Sequence, residues 1–311
     1  MDNSCVIDSF FSYICGKLLG DGCITIQQGR RPRFQFTHTS SDFGWSNHCF
    51  EQLRDYIPLN PPKYGKLLDK RVKMGFTERY IVQSKNSDII TYLNSIWYIN
   101  KKGRTKVIPF DFLEKHLDER TLAWWYQDDG HLKVVKGMPS NIILSTDNFT
   151  PAENQKLIKF LEDKFSLSFS LDGQNRLVLY SRPQVYYFCR LVGPHIHPSM
   201  DRKMIDYKNS AINTSSRTTS LYLPIAYNIV SPTKEINNKM LKLPELYNHA
   251  SNREMYLNFY GEYILPLKKN NSTRPYRIIV KEKHWEYIRD INAITGLNGS
   301  QIVGLCFSVD F

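Results

Sequence analysis

The spacing of apolar and polar positions changes period several times along the chain, and those changes mark its elements. From Thr121 the run Thr-Leu-Ala-Trp-Trp-Tyr-Gln is free of helix breakers and ends in Asp128-Asp129-Gly130. This predicts a buried helix stopped by a glycine that can take the backbone conformation ending one. The same design stands earlier, where Tyr13-Ile-Cys-Gly-Lys-Leu-Leu-Gly20 runs into Asp21-Gly22. Beyond Gly22 the period becomes two: Ile24 and Ile26 alternate with Thr25 and Gln27, then Phe34 and Phe36 alternate with Arg33, Gln35 and Thr37. That pattern predicts a half-buried hairpin over 23–28 and 33–37. A helix over 42–56 follows and is stopped by the prolines at 58–62, then strands near 63–68 and 72–83 turn at Lys70-Arg71, and a helix covers 88–98.

The second motif opens an echo of this order. Strands are predicted at 131–135, 141–145, 166–171 and 176–180, with helices at 150–165 and 183–191. The first of these helices is strongly marked, with Thr150 at its N-cap, Pro151 at its first position and Glu153 three residues after the cap. Each half therefore reads αββαββα. The repeat predicts an α+β fold of two pseudo-symmetric halves, 1–110 and 111–210, whose antiparallel sheets form a saddle around a paired-helix interface.

Gly16 and Gly20 lie four apart on one helix face and permit close approach of a second helix, for which Ala123 offers a matching small surface. Parallel packing would bring Asp21 and Asp129 together at one end. Carboxylates there face the negative end of the helix dipole and each other, so a positive group must compensate. Carboxylates and free helix-end carbonyls suit Mg²⁺ or Ca²⁺. The same residues also fit two core helices ending in ordinary Asp-Gly turns.

Composition narrows the function. With 311 residues, 41% of them hydrophobic, the chain can bury a large core. A formal charge of +11 and a pI near 9.2 call for an anionic partner, nucleic acid or an anionic membrane surface. No apolar run is long enough to span a bilayer and the N-terminus lacks the basic start of a signal or transit peptide, so the expectation is a soluble, intracellular protein of organellar, bacterial or phage origin. None of the six cysteines forms a Cys-x-x-Cys pair, and His195-Ile-His197 has no second pair of zinc ligands nearby; reduced thiols and no zinc are expected.

A sheet with one face on helices and the other carrying Arg, Lys, Gln, Asn and Thr has the inventory for reading base edges in a major groove. The candidates are Thr25, Gln27, Arg31, Arg33, Gln35, Thr37, Lys73 and Arg79 in the first half, and Lys133, Lys136, Asn141, Ser145, Asn175 and Arg176 in the second. Any one of them also fits a solvated strand face.

Over residues 9–208 the chain resembles the LAGLIDADG homing endonucleases, in particular their single-chain, two-motif branch. The resemblance rests on Leu19-Gly-Asp-Gly22, Lys106-Val-Ile-Pro109, Leu122-Ala-Trp-Trp-Tyr-Gln-Asp-Asp-Gly130, Thr146-Asp-Asn-Phe-Thr150 and His197-Pro-Ser-Met-Asp-Arg-Lys203. It implies cutting of both DNA strands across a minor groove with Mg²⁺, leaving short 3′ overhangs; Mn²⁺ is expected to substitute, and Ca²⁺ to support binding without cleavage. Position by position it makes Asp21 and Asp129 the acidic metal ligands, assisted by the carbonyls of Gly20 and Asp128. The Asp128 side chain falls on a small-residue position of the motif, and is either a further ligand or a helix-end hydrogen-bonding group. Lys106 and Lys203 match basic residues that sit beside the metal-bound waters, where a lysine stabilises charge on the scissile phosphate or orients the attacking water, with simple phosphate contact as the alternative. Trp124 stands where a glycine is common. The partner implied is double-stranded DNA, bound by a monomer, and the rival functions are an intron-encoded RNA maturase and a DNA-binding protein that does not cut.

The remainder is expected to hold an exposed linker at 213–220, short helices near 234–247 and 251–260, and a second linker at 268–274. Residues 211–275 are read as linker and accessory segment. From 276 a strand, a helix, the turn Thr295-Gly-Leu-Asn-Gly-Ser300 and a last helix resemble a ribbon-helix-helix DNA-binding module, a unit that normally pairs with a second copy through its strand; the alternative is a small accessory unit packed on the saddle.

Overall fold

Two helices of opposite halves form the centre, with Ile14, Cys15 and Leu18 of one and Leu122, Ala123, Trp124 and Trp125 of the other buried. The computed structural model describes residues 3–100, 103–206, 218–268 and 272–309. In chain order the first half holds α1 (Asn3–Leu19), β1 (Cys23–Thr25), β2 (Arg33–Thr39), α2 (Phe43–Leu53), β3 (Lys63–Leu68), β4 (Phe76–Gln83) and α3 (Asp88–Trp97). A small ribbon, β5 (Tyr98–Asn100) with β6 (Arg104–Lys106), and a short α4 (Phe110–His116) lead to the second half. There α5 (Glu119–Asp129), β7 (Gly130–Val135), β8 (Met138–Leu144), α6 (Pro151–Phe165), β9 (Ser170–Leu171), β10 (Leu177–Leu179) and α7 (Arg182–Val192) repeat the order. The ribbon and α4 were not foreseen in the pattern of basic residues between 100 and 106.

The sheets have matching antiparallel topology, β1-β2-β4-β3 and β7-β8-β10-β9, as the α+β saddle requires. In β2 the residues Phe34, Phe36 and His38 are buried while Arg33, Gln35 and Thr37 face the other way. The register sets Thr25 opposite Arg33, Gln35 opposite Gln83 and Thr39 opposite Arg79, so these share one open face. The halves differ at the outer hairpin. β3 and β4 have 6 and 8 residues, but β9 and β10 only 2 and 3. The strand expected to start at 166 is diverted: Gln184 on α7 accepts from Ser168 N–H at 3.2 Å and donates to Ser166 O at 3.0 Å, taking backbone groups that a ladder would use. The capping box at Thr150 and Glu153 forms as its sequence predicts.

After the second half come β11 (Thr218–Pro224), α8 (Pro232–Lys239), α9 (Leu243–Ser251), α10 (Arg253–Phe259), β12 (Thr273–Ile279), α11 (Glu282–Thr295) and α12 (Gly299–Ser308). The expected linkers lie partly outside the described residues, at 213–217 and 269–271; of the rest, 218–220 and 273–274 are strand and Lys268 closes a 3₁₀ helix. β11 and β12 pair along seven residues, from Thr218 opposite Ile279 to Pro224 opposite Thr273. The strand through which a ribbon-helix-helix module pairs with a second copy is here paired within its own chain, and the pairing joins segments on both sides of residue 275. This tail packs on α7: Tyr187 stacks on Tyr260 at 3.8 Å, and Arg253 donates to the carbonyls of Arg190 and Leu191. Among the described residues no helix is long and apolar enough to cross a membrane, and Cys15, Cys23, Cys49, Cys189 and Cys306 are free thiols.

Candidate active site

Helices α1 and α5 run parallel, as contacts advancing in step along both show. Ser12 Oγ donates to Asp118 at 2.9 Å and Thr121 Oγ1 to Ser12 O at 3.0 Å, at the middle of α1 and the start of α5. One turn on, a Cβ added at Gly16 would lie 2.6 Å from Trp124 Cβ and 2.7 Å from Thr121 O; at Gly20 it would lie 2.6 Å from Asp128 Cβ. The glycines of the first motif therefore admit large residues of the second, and the close crossing survives Trp124 because the space is made on one side only. Trp124 fills it by stacking on Tyr13 at 4.4 Å.

The glycines after the acids serve space rather than handedness. Gly130 is extended, with φ −89° and ψ 151°, not left-handed. A Cβ there would meet Tyr126 Cδ2 at 2.0 Å and Tyr126 O at 2.4 Å, so only glycine fits.

At the far end the helices deliver Asp21, Asp128 and Asp129. Burial, reinforced by the charge of Asp128, pushes the Asp21 carboxyl up to about 7; Asp129 adds to the rise, while Lys17 and Lys203 oppose it. Burial and then Asp128 push Asp129 up to about 6. Two carboxylates that resist ionising beside a third are a site deficient in positive charge. Their oxygens, with main-chain carbonyls at the helix ends, make a donor set that fits a hard divalent cation.

Asp128, open between a further ligand and a hydrogen-bonding group, is held by side chains of the other half. Both its oxygens are used and its side chain is 0% exposed: Lys17 Nζ lies 2.7 Å from Oδ2, while Trp45 Nε1 donates to Oδ1 at 2.8 Å and His38 Nε2 lies 3.2 Å from it. Burial works against this carboxylate, but Lys17 and His38 outweigh it and hold the group well below the usual range. Asp21, His38 and Asp128 have ligand atoms within 4.8 Å of one another. The Lys17 ammonium already lies among them, 3.0 Å from His38 Nε2, so a cation is better received by Asp21 and Asp129 than inside this cluster. Lys17, His38 and Trp45 were not singled out from sequence. The signal was a lysine inside an otherwise apolar helix.

The two expected lysines differ. Lys203 Nζ donates to the carbonyls of Tyr126, Gln127 and Asp128, which uses all three donors of an ammonium and supplies positive charge at the end of α5. Lys106 Nζ donates to Gly22 O at 2.9 Å, and burial brings it down to about 8.

The family described as LAGLIDADG DNA endonuclease matches residues 11–184, more than half of the chain. The chain belongs to this family. A relative from Wickerhamomyces canadensis named "Probable intron-encoded endonuclease 1" is 26% identical over 203 residues, 62% of this chain and 82% of the relative. The cytochrome b mRNA maturase bI2 of Debaryomyces hansenii is 27% identical over 201 residues, 62% of this chain and 72% of its own. Among solved structures, the homing endonuclease I-WcaI bound to its DNA recognition sequence shares the fold, with a TM-score of 0.54 at 22% identity over 63% of this chain and 86% of that one.

In this LAGLIDADG protein, Thr25, Arg33, Gln35, Thr37 and Arg79 share the open face of the first sheet, and Lys133 and Asn141 are paired on the second. Gln27, Lys73 and Lys136 stand in exposed turns rather than on strands, Lys136 at φ +51°. Ser145 follows β8 and donates its N–H to Asp129 O at 3.2 Å. Several candidates also make contacts within the protein: Gln83 Nε2 donates to Gln35 Oε1 at 3.0 Å and Ser140 Oγ to Asn141 Oδ1 at 2.6 Å. Asn175, at φ +61°, donates to Phe149 O at 2.8 Å, Arg176 forms an ion pair with Asp172 at 2.7 Å, and Arg31 lies 3.4 Å from Asp88.

Proposed function

We propose that the protein is a homing-type endonuclease that cuts both strands of a long, specific DNA site in the presence of Mg²⁺. The observation that carries this reading is the close crossing of α1 and α5, which delivers Asp21 and Asp129 to one end of a helix pair set between two sheets. Asp21 and Asp129, with the main-chain carbonyl of Gly20, would hold the ion, and Mn²⁺ would serve in its place. A bound divalent cation lowers the pKa of water and neutralises charge on the scissile phosphate. Lys106, brought down to about 8, can hold or release a proton near neutral pH and is placed to orient the attacking water. Lys203 acts differently, fixing the end of α5 through its carbonyls.

The open sheet faces, with Thr25, Arg33, Gln35, Thr37, Arg79, Lys133 and Asn141, would follow the major groove on either side of the cut, while Gln27, Lys73, Lys136 and Ser145 contact its edges and phosphates. Both motifs lie in one chain, so one copy supplies both acids and the enzyme works as a monomer. The test is incubation with a randomised duplex library in Mg²⁺ and, separately, Ca²⁺, sequencing the cut ends and the bound fraction. Recurrent cutting at one long site in Mg²⁺ with binding alone in Ca²⁺ supports the reading. The maturase relative motivates the alternative, and intron RNA bound while no duplex is bound or cut would favour it.

A further inference from the structure

The motif helices are joined by a buried ion pair that the motif does not contain. Lys17 stands where the family's name has its second leucine, and Asp128 where it has its second alanine. Both side chains are 0% exposed and 2.7 Å apart. A buried pair is seldom more stable than apolar side chains of the same volume, so stability alone does not account for it.

Its geometry offers another reason. Asp128 Oδ2 accepts the backbone N–H of Asp21, across the interface between the halves, at 3.2 Å. That N–H lies just past the last turn of α1, where the chain leaves the helix. The Asp128 side chain is itself locked: Trp45 Nε1 donates to Oδ1 at 2.8 Å, and His38 Nε2 lies 3.2 Å from the same oxygen and 3.7 Å from Asp21 Oδ2. The reverse anchor cannot form, because Gly20, the residue facing Asp128, has no side chain. One half therefore fixes the acid of the other.

We propose that Asp128 is a positioning residue, whose carboxylate pins the Asp21 main chain so that the Asp21 carboxylate faces Asp129, with Lys17, His38 and Trp45 locking Asp128 in turn. This rests on the reading of Asp21 and Asp129 as the metal-holding pair. The ion pair supplies a charge-neutral way to bury an acceptor at the one point where α1 ends.

The decisive comparison is between two double variants, Lys17→Met with Asp128→Asn and Lys17→Met with Asp128→Ala. Neither leaves a buried charge, so both should fold. The amide keeps an oxygen for the Asp21 N–H, though Trp45 loses its partner; alanine keeps no acceptor. Three quantities are read on each: melting temperature, Ca²⁺-supported DNA affinity, and Mn²⁺ affinity by electron paramagnetic resonance, followed by single-turnover cutting on the site selected by the wild type. The amide variant should keep Mn²⁺ affinity and cutting within about threefold of wild type, and the alanine variant should lose about tenfold in both with DNA affinity unchanged in each. Equal loss in the two, or no loss in either, overturns the positioning role. Failure of the underlying reading looks different: Asp21→Asn alone would then bind Mn²⁺ and cut like wild type.

Discussion

Replacing Gly16 by alanine probes the helix crossing on which the site depends. The added Cβ would lie 2.6 Å from Trp124 Cβ, 2.7 Å from Thr121 O and 3.2 Å from Trp125 N, where unstrained carbon contacts need about 3.5 Å or more. Two of these neighbours are backbone atoms, so a rotamer change cannot relieve the clash, and the helices must separate by about 1 Å. Alanine gains about 1 kcal/mol over glycine inside a helix, whereas overpacking of a well-filled interface costs about 1–3 kcal/mol. The clash lies well below van der Waals contact, so the cost should come near the upper end and leave a net loss of about 1–2 kcal/mol. That lowers the melting temperature by about 2–3 °C. A shift of about 1 Å between Asp21 and Asp129 should slow cutting about a hundredfold, while Ca²⁺-supported DNA binding persists. Gly304→Ala is the control: its Cβ would meet nothing within 4 Å, so it should melt at or above wild type and cut normally. Thermal denaturation with single-turnover cleavage decides the matter. A Gly16→Ala protein as stable and active as wild type would refute the close crossing.

Other consequences can be measured on the same protein. Asp128→Ala alone leaves Lys17 buried and unpaired, and should cost about 3–5 kcal/mol in denaturant unfolding, more than Asp128→Ala adds when Lys17 is already methionine. Asp21 and Asp129 are raised to about 7 and about 6, so the metal-free fold binds more protons than the unfolded chain above the ordinary carboxylate range. Their contribution to stability is full below about pH 4 and is lost as pH rises through 6 to 7. A divalent ion binds the ionised pair, so Ca²⁺ should raise the melting temperature little at about pH 5 and most at about pH 8; a Ca²⁺ effect independent of pH would count against these carboxylates as its ligands. Thr150→Ala removes the capping box of α6 and should cost about 1 kcal/mol in stability with cutting unchanged.

The sequence declared its helices and hairpins where one periodicity prevailed, as in the apolar turns around Gly16 and Ala123 and the alternation through Phe34 and Phe36. It declared Asp21 and Asp129 because an acid at the end of an apolar helix is out of place electrostatically. Local pattern was silent where a distant partner decides. Gln184 diverts residues 166–168 from the sheet, Tyr126 rather than handedness requires Gly130, and the strand from Thr273 finds β11 from fifty residues earlier. Sequence offered Lys203 a role beside the reacting groups or a phosphate contact, and nothing in its local pattern pointed to the carbonyls of α5, to which it donates. Asp128 reads from sequence as either ligand or helix-end hydrogen-bonding group, and its partners Lys17, Trp45 and His38 stand on three other elements where no local pattern shows them.

Once a duplex site has been selected, the most direct measurement is single-turnover cutting of both its strands by wild type, Asp21→Asn and Asp129→Asn in Mg²⁺, with affinity for the same duplex measured in Ca²⁺. On the proposed reading each substitution removes a metal-holding carboxylate but no phosphate contact. Each should abolish double-strand cutting and leave binding within about tenfold of wild type. Both variants cutting both strands at the wild-type rate would contradict the assignment of the paired acids as the cleavage centre.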